Sequence, residues 1–132
     1  MAIDAPPAIR KRLPNRRSSV TEEIDLGNVR LTATIGFDPE GHPAEVFLSG
    51  AKDGSGMAAI LGDASVVISV ALQSGITAAA LGKSISRLPE TLDGPATAVA
   101  SPIGAALDLL ARYERDGSSG TKKPERCDPA PA

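Results

Sequence analysis

Residues Ala44–Gly75 read AEVFLSGAKDGSGMAAILGDASVVISVALQSG, and the fold turns on how this stretch is interpreted. Ala44–Ser49 has the β-branched and aromatic content of a strand set between turn signals. The glycine-rich link Gly50–Gly56 then opens a run from Met57 to Gln73 whose only charge is Asp63. Met57, Ile60, Leu61, Ala64, Val67, Ile68, Ala71 and Leu72 recur at helical spacing, which predicts one broad buried face. Gly62, Ser65, Ser69 and Gln73 gather on the opposite side, as a face of small polar residues open to a second helix or a partner. A helix this apolar is expected at the centre of a small domain. The run is near the lower length limit for crossing a bilayer. Gly62, Asp63 and its two serines favour the soluble reading.

Working back from this stretch, Val29–Phe37 alternates strictly, with Val29, Leu31, Ala33, Ile35 and Phe37 on one side, the pattern of a strand with one buried face. Val20–Leu26 forms a shorter edge strand before it. Asp38–Pro43 supplies a turn, so residues 20–49 make an antiparallel meander. Working forward, 76–86 reads as a short helix with Thr77 as its cap and Leu81 and Ile85 inward. Residues 88–101 read as loop. Ser101 and Pro102 open a third helix running to about Arg115, burying Ile103, Leu107, Leu110 and Tyr113. The expected fold is α+β, a three-stranded antiparallel meander packed on a long central helix with two further helices.

The charge distribution is more informative than the net charge of −2. Residues 1–17 carry +4, residues 18–116 carry −7, and residues 117–132 carry +1. The first segment reads as a flexible basic arm (Arg10, Lys11, Arg12, Arg16, Arg17), the second as a folded domain, and the third as a disordered tail. The arm either docks on the acidic body or meets an acidic partner. No aromatic residue interleaves its arginines, so stacking on single-stranded bases has no support. With two Phe, one Tyr and no Trp, the core must be aliphatic and tight. Cys127 is the only cysteine, which excludes an intrachain disulfide and points to a reducing, cytoplasmic compartment. One His and one Cys exclude a metal site built from those ligands alone. The N-terminus lacks the apolar segment of a signal peptide.

Candidate chemistry is sparse. Lys52, Gly54, Ser55 and Gly56 precede the long helix in a G-x-G-x-x-A setting that could hold an anion on helix amides. Ser55 could equally be a helix cap, and Asp53 places a carboxylate where a phosphate would sit. Asp63 is expected at a helix edge paired with Arg30 or Lys83. His42, between Gly41 and Pro43, should face solvent. No nucleophile motif is present, so no catalytic or metal residue is assigned.

Several short motifs, in order, resemble the TSCPD domain found near the C-terminus of adenosylcobalamin-dependent (class II) ribonucleoside-diphosphate reductases. They are Arg12-Leu13-Pro14 with Arg16 and Arg17, Thr34-Ile35-Gly36, Glu40-Gly41, Ala44–Leu48, Ala51–Ser55 and Ile68–Ile76. The similarity covers about residues 10–87, and Ser101–Gly104 onward more loosely. It implies an accessory or regulatory domain of ribonucleotide reduction and DNA synthesis, with no cofactor of its own and adenosylcobalamin only by family association. The radical cysteine, the reducing pair and the cobalamin barrel of such enzymes have no counterpart in these residues. Two other readings stand beside it, an independent protein-interaction module and a nucleic-acid-associated protein using the arm. Self-association, or docking on a larger protein such as a reductase, is expected through the face of Gly62, Ser65, Ser69 and Gln73 or through a sheet edge.

Overall fold

The computed structural model describes residues 10–27, 29–50 and 54–118. Lys52, Asp53, Cys127, residues 1–9 of the expected arm and residues 119–132 of the tail expected from 117 lie outside these residues, and 117–118 close the last helix. The chain runs β1 (Ser19–Asp25), β2 (Arg30–Phe37), β3 (Pro43–Ser49), α1 (Gly56–Gln73), α2 (Ala78–Gly82), β4 (Arg87–Pro89), β5 (Ala96–Val99) and α3 (Pro102–Ser118). β1, β2 and β3 form an antiparallel sheet in that order, so the class is α+β, as the alternation of 29–37 predicts.

Period-two patterning places Leu31, Ala33, Ile35 and Phe37 of β2 on one face, with Val20 of β1 and Val46 and Leu48 of β3 beside them. α3 lies across this face and contributes Ala106, Leu107, Leu109 and Leu110 to the core. Its Tyr113 ring meets Phe37 edge-on at 5.6 Å between centroids, and its hydroxyl donates to the Glu22 carboxylate on β1. Ser101 caps α3, accepting from the Gly104 N–H at 3.2 Å. The short α2 has Thr77 as its N-cap and is held against α3 by Glu114, whose carboxylate accepts from the Ala78 and Ala79 amides.

Two corrections to the sequence reading concern the second half. Residues 88–101 are not all loop, because β4 and β5 pair as a small antiparallel ribbon. That ribbon has only three and four residues per strand, with Pro89 inside it, too short for a period to show. Also, the helix expected over 76–86 is confined to Ala78–Gly82.

The larger correction concerns α1. Its length matches expectation, with Ser55 as N-cap and a Schellman end at Gly75 (φ 93°). There the Ile76 and Gly75 amides reach the Ala71 and Leu72 carbonyls at 3.0 and 3.1 Å. But the face is turned. The buried residues are Leu61, Ser65, Ile68, Ser69 and Gln73, whereas Met57, Ile60, Val66 and Val67 are exposed. Instead of lying centrally, α1 runs along the outer edge of β3. Its supposedly open polar side is the side that faces the sheet, and Gly62 alone of that set is exposed.

The reason is backbone hydrogen bonding. An outer strand has alternate N–H and C=O groups without a ladder partner, and burying them unpaired is costly. Ser65 accepts from Leu48 N–H at 2.9 Å, Ser69 accepts from Val46 N–H at 2.9 Å, and the Gln73 amide donates to the Ala44 carbonyl at 3.0 Å. The spacings match. Four residues of helix advance about 6.0 Å, and two residues of strand advance about 6.6 Å. The drift over three contacts is small, and the longer Gln73 side chain at the far end takes it up.

Candidate functional site

The residues that converge most densely lie where the basic arm meets the end of α1 and the β2–β3 turn. Gln73 is the junction. Its carbonyl accepts from the Lys11 amide at 2.9 Å, and its side-chain oxygen accepts from Arg10 Nε at 2.6 Å. Its side-chain nitrogen is the one bonded to β3. Farther along the arm, Arg17 makes a two-pronged ion pair with Glu45, its second nitrogen at 3.2 Å from Oε1. Hydrogen bonding to Glu45 holds the Arg17 guanidinium above its ordinary pKa. The arm therefore docks on the body of its own chain, one of the two fates its charge allowed.

Glu45 is a buried carboxylate on a strand, and Gly36 makes room for it. A Cβ at Gly36 would stand 2.7 Å from Glu45 Cγ and 2.9 Å from Cδ, closer than packed atoms come. The two residues are register partners across β2 and β3. A glycine inside a strand signals a close approach, a cue that the sequence reading did not use.

Between arm, turn and helix end lies a cavity of about 730 Å³. Lys11, Arg12, Leu13, His42, Gln73 and Glu114 are among its lining residues. On its wall the turn brings Asp38, Glu40 and His42 together, with one ligand atom of each within 4.8 Å of the others. Sequence reading missed this group, whose signal is an i, i+2, i+4 spacing in a turn. Its geometry has a local cause. Asp38 Oδ1 accepts from the Glu40 and His42 amides at 3.0 and 2.9 Å, and Oδ2 lies 3.6 Å from His42 Nδ1. His42 is exposed, as expected.

The other expected sites are scattered. Ser55 Oγ accepts from the Ala58 amide at 3.1 Å, so the capping role is realised. Gly54 and Gly56 flank it, and Lys52 lies outside the described residues. Asp63 is exposed on α1, and the expected pairing with Arg30 is replaced by an Arg30–Asp25 contact at 3.4 Å. Arg12 and Arg16 are exposed.

The sequence profile of the TSCPD domain matches residues 6–113. The chain belongs to the TSCPD domain family. A vitamin B12-dependent ribonucleotide reductase of Rhodopirellula baltica is 33% identical over 67 residues, 51% of this chain and 6% of that protein. The same enzyme of Streptantibioticus cattleyicolor is 35% identical over 68 residues, covering 52% of this chain and 11% of the relative. That of Agrobacterium fabrum is 30% identical over 67 residues, covering 51% and 5%. This TSCPD domain thus corresponds to a small part of each curated relative. No solved structure matches the chain.

Proposed function

We propose that this TSCPD domain is an accessory element of vitamin B12-dependent ribonucleotide reduction. It acts with a reductase polypeptide and does not carry the chemistry itself. The observation that supports this reading is the match to a 67–68-residue segment amounting to 5–11% of each relative cited. The polar groups fit a structural rather than a catalytic assignment. The two buried hydroxyls among the described residues, Ser65 and Ser69, are committed to the backbone of β3, and the buried Glu45 is committed to Arg17. The cobalamin and the radical chemistry belong, in this reading, to the partner.

The test is affinity co-elution of the purified chain with a tagged B12-dependent reductase from the same organism, followed by turnover assays. Co-elution is expected, together with no ribonucleotide reduction by the chain alone when given adenosylcobalamin and a dithiol. Failure to bind the reductase would overturn the accessory role. Turnover by the chain alone that survives Cys127→Ser would overturn the division of labour.

A further inference from the structure

α1 has two working faces, and only one is used within the described residues. Opposite the Ser65–Ser69–Gln73 stripe lie Met57, Ile60, Ala64, Val67 and Ala71. Their spacing of three, four, three, four is the a/d repeat of a helix–helix seam. Met57, Ile60 and Val67 are 41%, 54% and 67% exposed, and Ala64 and Ala71 are half-buried. Asp63 falls on the flank of this seam, where it can stay in water.

We propose that this seam packs against the same seam of a second copy, with the two α1 helices antiparallel about a two-fold axis. The sequence of the seam is self-complementary in that arrangement. Antiparallel layers pair an a residue with a d residue. One register sets Ile60 against the partner's Ala71 and Ala64 against the partner's Val67, and the axis repeats both layers. Every such layer then joins a bulky side chain to an alanine, which lets the helices approach closely and interlock. A parallel pairing would stack alanine on alanine and leave gaps.

Area sets the expected strength. The exposed parts of Met57, Ile60 and Val67, with the half-buried Ala64 and Ala71, offer on the order of 350 Å² per seam, so a pair buries on the order of 700 Å², short of the roughly 1,200 Å² at which stable specific interfaces begin. The dimer should therefore be weak and concentration-dependent. A membrane surface is the less favoured occupant. Helices that lie on bilayers carry basic residues on their polar side, and α1 has no basic residue, its single charge being Asp63.

The experiment is sedimentation equilibrium from micromolar to millimolar chain, with cross-linking to read the register. The wild type should rise toward twice the 13.4 kDa of one chain. Val67→Glu, at an exposed position, should stay monomeric with an unchanged circular dichroism spectrum and melting temperature. Ala79→Glu, exposed on α2, should dimerise like the wild type. In a Cys127→Ser background, oxidising a mixture of Ala64→Cys and Val67→Cys chains should give more cross-linked dimer than either alone. A wild type that is monomeric at millimolar concentration, with or without binding to anionic vesicles, overturns the proposal. So does a dimer that survives Val67→Glu, or cross-linking no better in the mixture than in Ala64→Cys alone. Reductase co-elution is read separately, so either conclusion can fail without the other.

Discussion

The Ser69 hydroxyl answers both backbone groups of Val46, accepting from its N–H at 2.9 Å and donating to its carbonyl at 3.2 Å. One side chain thus substitutes for a neighbouring strand at that residue. Ser69→Ala would leave a buried donor and acceptor without partners, at a cost of about 1–3 kcal/mol. Urea titration should show a lower midpoint at an unchanged slope. An effect within error would mean that water replaces the hydroxyl.

Ser65→Ala should behave similarly through the Leu48 amide, but less severely. The Ser65 hydroxyl gives its own proton to the Leu61 carbonyl at 2.7 Å, a group already served by the helix. Only one strand group is orphaned. A Ser65→Ala midpoint below that of Ser69→Ala would contradict this ordering.

Gly36→Ala should force the Glu45 side chain from its place, and overpacking of this kind costs about 1–3 kcal/mol. Glu45→Ala in the same chain removes the clash. The double variant should recover part of the loss, and a double-mutant cycle measures the coupling. Simple additivity would show that β2 and β3 yield without involving Glu45.

Legibility differed along the chain for physical reasons. β2 could be read because a sheet with one wet face writes its burial as alternation, and residues 31, 33, 35 and 37 obey it, whereas β3, buried through its first four residues, was legible from its β-branched and aromatic content between turns. α1 was readable as a helix but not in orientation. Apolar periodicity reports which side could be buried, whereas the burial of α1 is set by the backbone demand of β3. Ser65, Ser69 and Gln73 carried that information as a polar stripe with a four-residue step, beside a strand with a two-residue step. The arm's docking was open from charge alone, and it took Gly36, across from Glu45, to show where Arg17 goes. The turn group of Asp38, Glu40 and His42 was hidden because only the folded turn brings its ends together.

Arg17→Ala should release the arm, since the remaining hydrogen bonds from the arm to the body among the described residues are those of Arg10 and Lys11 to Gln73. Trypsin should then cut after Lys11, Arg12 and Arg16 several-fold faster, with the sheet's stability less affected. Raising salt on the wild type should have the same direction of effect but smaller, because Glu45 is largely shielded. Unchanged cleavage would mean that the backbone contacts alone hold the arm.

Two aspartates link stability to acidity. Asp108 is held below the usual carboxylate range mainly by its hydrogen bonds from Arg87, both at 2.8 Å, and Asp25 mainly by the Gly27 amide at 2.8 Å. A carboxylate more acidic in the folded chain than in the unfolded one stabilises the fold above its unfolded pKa, about 3.9. That contribution fades as pH falls through the native value. The melting temperature should therefore decline below about pH 4, modestly because both sites are solvent-accessible. Asp108→Asn and Asp25→Asn should each flatten the decline. An acid limb identical in both variants would assign it to other carboxylates.

The alignment of α1 along β3 also governs what the sheet can do in a crowded solution. A strand edge with free amides and carbonyls is a template on which foreign strands polymerise, the route to fibrils and to swapped domains. Here the β3 template is already read by Ser65, Ser69 and Gln73, so no incoming chain can extend the ladder on that side. The other terminus of the ladder is β1, and Glu22, Glu23 and Asp25 give it a negative charge that repels an identical strand. Growth is obstructed at one end and electrostatically discouraged at the other. Loss of the Ser69 hydroxyl should therefore have a second phenotype beyond instability, a shortened lag before thioflavin-positive aggregates form, because it reopens the one edge the fold had sealed.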